Sequence, residues 1–270
     1  MSTEKRARQK ANRANRVAAA EAAAARQRTR SRLITYGALA AVIVLAIVGF
    51  LALNSDGDDV TSTTAPSATT EPGVAAPAPG GRIEGDTECP AEDGSSERIT
   101  SFAAAPPMCI DETATYTAVV DTNLGEFTIE LDAARAPETV NNFVVLARYG
   151  YYDGAPFHRI IPGFVIQGGD AVGNPLGTGN PGYAIDDELP EAGEYEIGSV
   201  AMANSGPNTN GSQFFVITGD SGVALPPLYS LFGAVTSGLD VVREIESAET
   251  TAGDVPVEPI IINTVTITEN

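Results

Sequence analysis

The order of apolar and polar positions divides this chain before any motif is read. Residues 33–53 form 21 consecutive positions without a charge, long enough to cross a bilayer as one helix. Residues 54–88 are rich in Thr, Ser, Ala, Pro and Gly with few large apolar side chains. Such a stretch cannot bury a core and is predicted to be a disordered linker. Alternation appears at 116–122 and 126–131 around Asn123-Leu124-Gly125, which predicts a β-hairpin. Pro137 suits a first helical turn, and Val140, Phe143, Val144 and Ala147 then mark one helical face ending before Gly150. Apolar, β-favouring runs broken by Gly, Pro and Asn occupy 157–167 and 199–218. A second helix is predicted over 239–247 and a last strand over 260–268. Many short strands with two helices suit a mostly β, closed antiparallel barrel capped at its ends. Residues 115–270 are enough for one well-buried core.

Charge changes the picture at the N-terminus. Residues 1–32 carry ten Lys and Arg against Glu4 and Glu21, and 17–26 within them is alanine-rich and helix-favouring. Phe50 and Leu51 are bulky where a signal peptidase needs small side chains, so 33–53 reads as a retained anchor. The positive-inside rule then places the basic tail in the cytoplasm and everything after Asn54 outside the cell membrane, as a single-pass protein. The whole chain carries −19 and the tail +8, which leaves −27 for residues 33–270, with six arginines and no lysine. That surface repels nucleic acid. Nothing in the pattern demands an obligate interface, so a monomer is expected. Cys89 and Cys109, the only cysteines, lie on the outer side in a pre-domain segment, 89–114. An oxidising location favours a disulfide, with free or metal-binding cysteines as the alternatives.

Two runs carry the chemistry. The first is Phe157-His158-Arg159-Ile160-Ile161-Pro162-Gly163-Phe164-Val165-Ile166-Gln167-Gly168-Gly169-Asp170. The second is Met202-Ala203-Asn204-Ser205-Gly206-Pro207-Asn208-Thr209-Asn210-Gly211-Ser212-Gln213-Phe214-Phe215. Together they resemble the cyclophilin family of peptidyl-prolyl cis–trans isomerases, and the resemblance extends from about residue 116 to 270. It implies an eight-stranded closed barrel, proline-containing polypeptide clients, and a reaction with no cofactor and no metal.

Rotation about an amide is opposed by a barrier of about 18–20 kcal/mol. A catalyst must bind the twisted amide better than either planar form. Twisting localises the lone pair on the prolyl nitrogen, and a fixed guanidinium stabilises it; Arg159 is assigned this role. By the resemblance, Phe164, Val165, Phe215 and Leu225 match proline-pocket positions. Gln167, Ala203, Asn204 and Gln213 match positions that hold the substrate backbone or orient the arginine. The chain departs from the common pattern at Ala224, where many members have Trp, and at Tyr229, where many have His. Tyr229 still offers an aromatic face and a hydroxyl. Loss of the tryptophan implies weakened binding of cyclosporin-type cyclic peptides.

Plainer readings are set beside these. His158 is the only histidine, which excludes a histidine triad or a multi-histidine metal site, and it reads as a satisfied core residue. The glycine-rich stretch 173–182 lacks the strand–GxxxxGK[ST]–helix context of a phosphate loop and reads as a long surface loop. Asp186-Asp187-Glu188 reads as a solvated acidic turn. A non-catalytic Pro-peptide-binding chaperone or assembly module is the alternative to an enzyme, and a structural envelope protein reusing the barrel is the third reading.

Overall fold

The structure, a computed structural model, describes residues 77–270. The expected basic tail, membrane span and linker as far as residue 76 lie outside the described residues. Among the described residues no helix is long and apolar enough to cross a membrane.

Among the described residues the first elements are β1 (Gly81–Ile83) and β2 (Ile99–Phe102), which pair in parallel as a separate two-stranded sheet. This corrects the linker expectation, which ran to residue 88. Composition alone cannot form β1; distant polar contacts hold it. The Arg98 guanidinium donates to the carbonyls of Ala78, Gly150 and Asp153, tying the segment to the domain behind it.

Next come β3 (Tyr116–Thr122), β4 (Gly125–Leu131), α1 (Pro137–Arg148), β5 (Arg159–Ile161), β6 (Val165–Gly168), β7 (Ser199–Met202), β8 (Phe214–Ile217), α2 (Asp220–Val223), β9 (Leu231–Ser237), α3 (Leu239–Glu246) and β10 (Ile262–Glu269). The hairpin forms as expected, with Thr122 paired to Gly125 across a turn at Asn123-Leu124. The expected helices are α1 and α3; α2 is a further single turn. Eight strands form one antiparallel sheet in the order β10-β3-β4-β9-β7-β8-β6-β5.

The expected closed barrel is corrected to a curled sheet whose edge strands, β10 and β5, share no ladder. Their approaches meet only at an isolated bridge between Pro156 and Ile261, flanked by Phe157 N–H to Ile260 O and Ile262 N–H to Ala155 O, both 2.9 Å. Both hydrogen bonds come from the residues flanking this bridge, and no ladder continues from there to β5, which is only three residues long.

Successive residues of a strand point to opposite faces, and here both faces of the central strands are covered. Ile160, Ile166, Val200, Met202, Phe214 and Val216 enter the main core with Phe143 of α1 and Val242 of α3. Val165, Ala201, Phe215 and Ile217 point the other way into a second cluster with Tyr195 and Leu231. The N-cap position of helix α1 is Ala136, which offers no capping side chain. Glu188 replaces it, its carboxylate accepting from the N–H groups of Glu138 (3.1 Å) and Thr139 (2.8 Å) and from the Thr139 hydroxyl (2.7 Å). Asp187 likewise accepts from Asn208 N–H and the Asn210 amide. The acidic turn is therefore a structural clasp, not a merely solvated loop.

Candidate functional site

The hairpin β5–β6 places Arg159 directly opposite Gln167, and β6–β8 places Gln167 opposite Phe215. These residues alternate with core positions, so their side chains emerge together on the face away from the main core. A relay of polar contacts follows. Arg159 Nη1 donates to Gln167 Oε1 (3.3 Å), Gln167 Nε2 donates to Gln213 Oε1 (3.1 Å), and Gln213 Nε2 donates to Gly179 O (2.9 Å). On its other side Arg159 Nε lies 3.7 Å from Asp254 Oδ2. The guanidinium is thus oriented from two directions, and it is only partly buried.

Beside it is a cavity of about 430 Å³ lined by Phe164, Val165, Ala203, Phe215, Leu225 and Tyr229, with Arg159, Gln167 and Asn204 at its polar side. Nine of the ten residues expected at the site therefore line one cavity. The tenth, Gln213, lines the adjoining groove and joins the two through its amide. The walls are firm because they belong to the second apolar cluster: Val165 is 2% and Phe215 5% exposed. The Phe215 and Tyr229 rings meet edge to face at 5.4 Å. Tyr195 holds Tyr229 in place, donating its hydroxyl to Tyr229 O (2.7 Å) and accepting from Tyr229 N–H (3.1 Å). Asn204 is fixed by donation to Leu228 O (3.0 Å), and Ala203 N–H donates to Gln213 O (2.9 Å). Ala224, at the end of α2, is exposed and does not line the cavity.

Three features were not legible as site elements. Asp170 closes the first run but organises the glycine-rich loop after it. Fully buried, its carboxylate accepts backbone N–H bonds from Val172 (3.0 Å), Gly173 (2.7 Å), Gly177 (2.7 Å) and Gly179 (2.9 Å). An Asp ahead of a glycine-rich loop is the one local signal for this, since Asp side chains bind backbone amides just downstream. Gly169 precedes it at φ +83, where a Cβ would lie 2.6 Å from Ser212 O, so only glycine fits. Asp254 comes from a distant turn and has no sequence signal. His158 lines the cavity and is buried, and its ring nitrogens make only weak polar contacts, with the Pro156 backbone and the Gln213 side chain, none of good hydrogen-bond geometry. The expected core histidine is buried as expected, with its polar contacts weak. Burial pushes its pKa below the ordinary value.

Cys89 and Cys109 are joined by a disulfide. Chemically, the assembly is an apolar slot with one fixed cationic donor at its rim and a row of amides beside it. It holds no paired acid and base.

Comparison with known proteins agrees with that chemistry. Residues 117–267 match the sequence profile of the cyclophilin-type peptidyl-prolyl cis-trans isomerase/CLD family. The chain is 44% identical over 149 residues to the peptidyl-prolyl cis-trans isomerase ppi1 of Schizosaccharomyces pombe, covering 53% of this chain and 93% of that protein. It is 44% identical over 155 residues to CYP18-1 of Arabidopsis thaliana, covering 55% and 94%. A crystal structure of a cyclophilin-type isomerase from Cryptosporidium parvum superposes with a TM-score of 0.54 at 35% identity, covering 58% of this chain and 99% of that one. A second structure of the same protein, determined in the presence of the dipeptide Ala-Pro, gives 0.53.

Proposed function

This chain belongs to the cyclophilin-type peptidyl-prolyl cis–trans isomerases, and from that premise we propose that Arg159 drives Xaa-Pro rotation in exported or envelope proteins. The proline ring enters the slot between Phe164, Val165, Phe215 and Leu225, which exposes the prolyl nitrogen to the guanidinium. As the amide twists, its nitrogen becomes a stronger acceptor, and a donor already in place gains most at that point. Each tenfold in rate corresponds to about 1.4 kcal/mol, and one pre-aimed donor of this kind contributes on the order of two to three powers of ten. The observation that carries this reading is the relay from Arg159 through Gln167 and Gln213 to Gly179 O, which fixes the donor before substrate arrives. A solved relative studied with Ala-Pro supports a proline-containing peptide as the ligand class.

The setting rests on sequence and redox chemistry. The uncharged stretch 33–53 behind a basic tail supports a single-pass anchor with the isomerase domain outside. The Cys89–Cys109 bond supports an oxidising compartment.

The test is a peptide isomerisation assay on the full chain in detergent, wild type against Arg159→Ala. Loss of most acceleration with the fold retained, by circular dichroism, is expected. Unchanged turnover would refute the Arg159 mechanism. Binding of Pro peptides without acceleration in the wild type would instead identify a non-catalytic chaperone or assembly module.

A further inference from the structure

The family match begins at residue 117, yet residues 77–116 ahead of it are folded onto the domain and reach the substrate side. The disulfide closes this segment, and both of its shoulders are pinned. Glu88 O accepts from the Tyr149 hydroxyl (2.8 Å), Cys109 N–H donates to Asn141 Oδ1 (2.7 Å), and Asn141 Nδ2 donates back to Pro107 O (2.9 Å). Between the cysteines, β2 is laid along the domain by Ile99 N–H to Tyr149 O (3.0 Å) and ends at Phe102.

Phe102 is the contact that matters. It is 2% exposed, with its ring 5.6 Å from Tyr149 and edge-on to Tyr183 at 6.0 Å. Its N–H donates to Pro181 O (2.8 Å). At the next residue, Gly182 (φ +112), a Cβ would lie 2.1 Å from Phe102 O. The loop backbone therefore rests on the end of β2 where no other residue fits. Tyr183 is in turn locked by donating its hydroxyl to Asn142 Oδ1 (2.6 Å).

The same loop is the wall of a groove. Thr178, Gly179, Asn180 and Tyr183 face Ser205 and Thr209 across about 720 Å³, and this space shares Gln167, Gly177, Thr178, Ala203 and Asn204 with the proline slot. A peptide whose proline fills the slot must lay its neighbouring residues along this wall. We propose that the disulfide-closed segment 89–109 is a specificity element: through Phe102 it sets the groove wall at Pro181–Tyr183, and so determines how well polypeptides extending beyond the Xaa-Pro unit are held. The inference rests on the isomerase reading, and it assigns the segment a positioning role with no part in the rotation itself.

The experiment compares a capped Xaa-Pro dipeptide with a ten-residue peptide carrying the same Xaa-Pro. KM and kcat are measured for the full chain, Phe102→Ala, Phe102→Leu and the Cys89→Ser/Cys109→Ser pair. Phe102→Ala and the cysteine pair are expected to raise KM for the long peptide about fivefold, as loss of a few groove contacts would, with kcat and the dipeptide constants unchanged. Phe102→Leu should restore most of the affinity. Reversible reduction and reoxidation of the unmodified chain gives the same comparison should Phe102→Ala fail to fold. Equal changes for both peptides, or none, would overturn the proposal. If the unmodified chain turns over neither peptide, the catalytic reading fails, and the ratio of binding constants for the two peptides still decides the role of the segment.

Discussion

Arg159 Nε and Asp254 Oδ2 stand 3.7 Å apart, so the cation at the rim of the proline slot is paired to a carboxylate from a distant turn. Asp254 holds a left-handed backbone, φ +63, and its carbonyl accepts from Ile160 N–H (2.8 Å). The two side chains are 41% and 44% exposed, which makes the pair worth only about 0–1 kcal/mol of stability. Its value is orientation: with Nε facing Asp254 and Nη1 facing Gln167, the guanidinium plane is set from two sides.

Asp254→Asn tolerates the left-handed backbone and removes the charge. It should leave the melting temperature nearly unchanged while lowering kcat/KM by about threefold, near 0.7 kcal/mol of transition-state stabilisation. Asp254→Gly, which keeps the backbone and removes the side chain, should behave alike. Wild-type kcat/KM in both would show that Asp254 orients nothing.

The cap on α1 gives a stability prediction remote from the chemistry. Glu188→Ala orphans the N–H groups of Glu138 and Thr139, and should cost about 1–2 kcal/mol in urea unfolding. Glu188→Gln keeps one acceptor oxygen, but its NH2 cannot serve the N–H groups that the second carboxylate oxygen serves, so it should cost nearly as much, about 1 kcal/mol. Equal stability of all three proteins would remove Glu188 from the capping role.

What the sequence disclosed and what it hid follow one division. The β3–β4 hairpin, α1 and α3 are local patterns, so alternation and helical spacing located them within a residue or two. The slot residues Arg159, Phe164, Val165 and Gln167 are legible because one hairpin carries them. The second run supplies Ala203, Asn204, Gln213 and Phe215 from the neighbouring strands. Glu188 on α1, Asp254 on Arg159 and Phe102 on Pro181 are pairs joined only by the fold. Each reads as an ordinary surface charge or core aromatic when taken alone. Strand β1 failed for the same reason: its residues are largely exposed, and Arg98 holds them by tertiary contacts. Closure of the barrel failed because β5 is only three residues long and meets the approach to β10 at a single bridge, which a strand count does not disclose.

The loop organised by Asp170 should fail as a unit. Asp170→Asn puts an amide where four backbone N–H groups need an acceptor, and the site has no solvent to compensate. A loss of about 2–3 kcal/mol is expected. Because Gly179 O anchors Gln213, kcat/KM should fall as well in the fraction that remains folded. Thermal melts and the peptide assay on one preparation measure both effects; a loss of stability with full specific activity would separate the loop from the site.

His158 gives the chain a pH signature that can be isolated because it is the only histidine. Burial is the leading cause of its lowered pKa; the Asp170 charge opposes the shift and the Arg159 charge adds to it. In the folded state it takes up a proton less readily than in the unfolded chain, where the imidazole is protonated as pH falls through about 6.5. The unfolded state then binds more protons, so its contribution to stability is constant above pH 6.5 and is lost as pH falls toward the folded value. The slope is at most about 1.4 kcal/mol per pH unit. Asp153, whose pKa burial raises, acts with the opposite sign, since its folded form holds the proton more strongly. That contribution is common to wild type and His158→Gln and cancels in their difference. Urea unfolding at pH 7.5, 6.5 and 5.5 should show the two stability curves parallel above pH 6.5, with the wild type falling relative to His158→Gln below it. Curves that remain parallel throughout would mean that the imidazole is protonated as readily inside the protein as outside it.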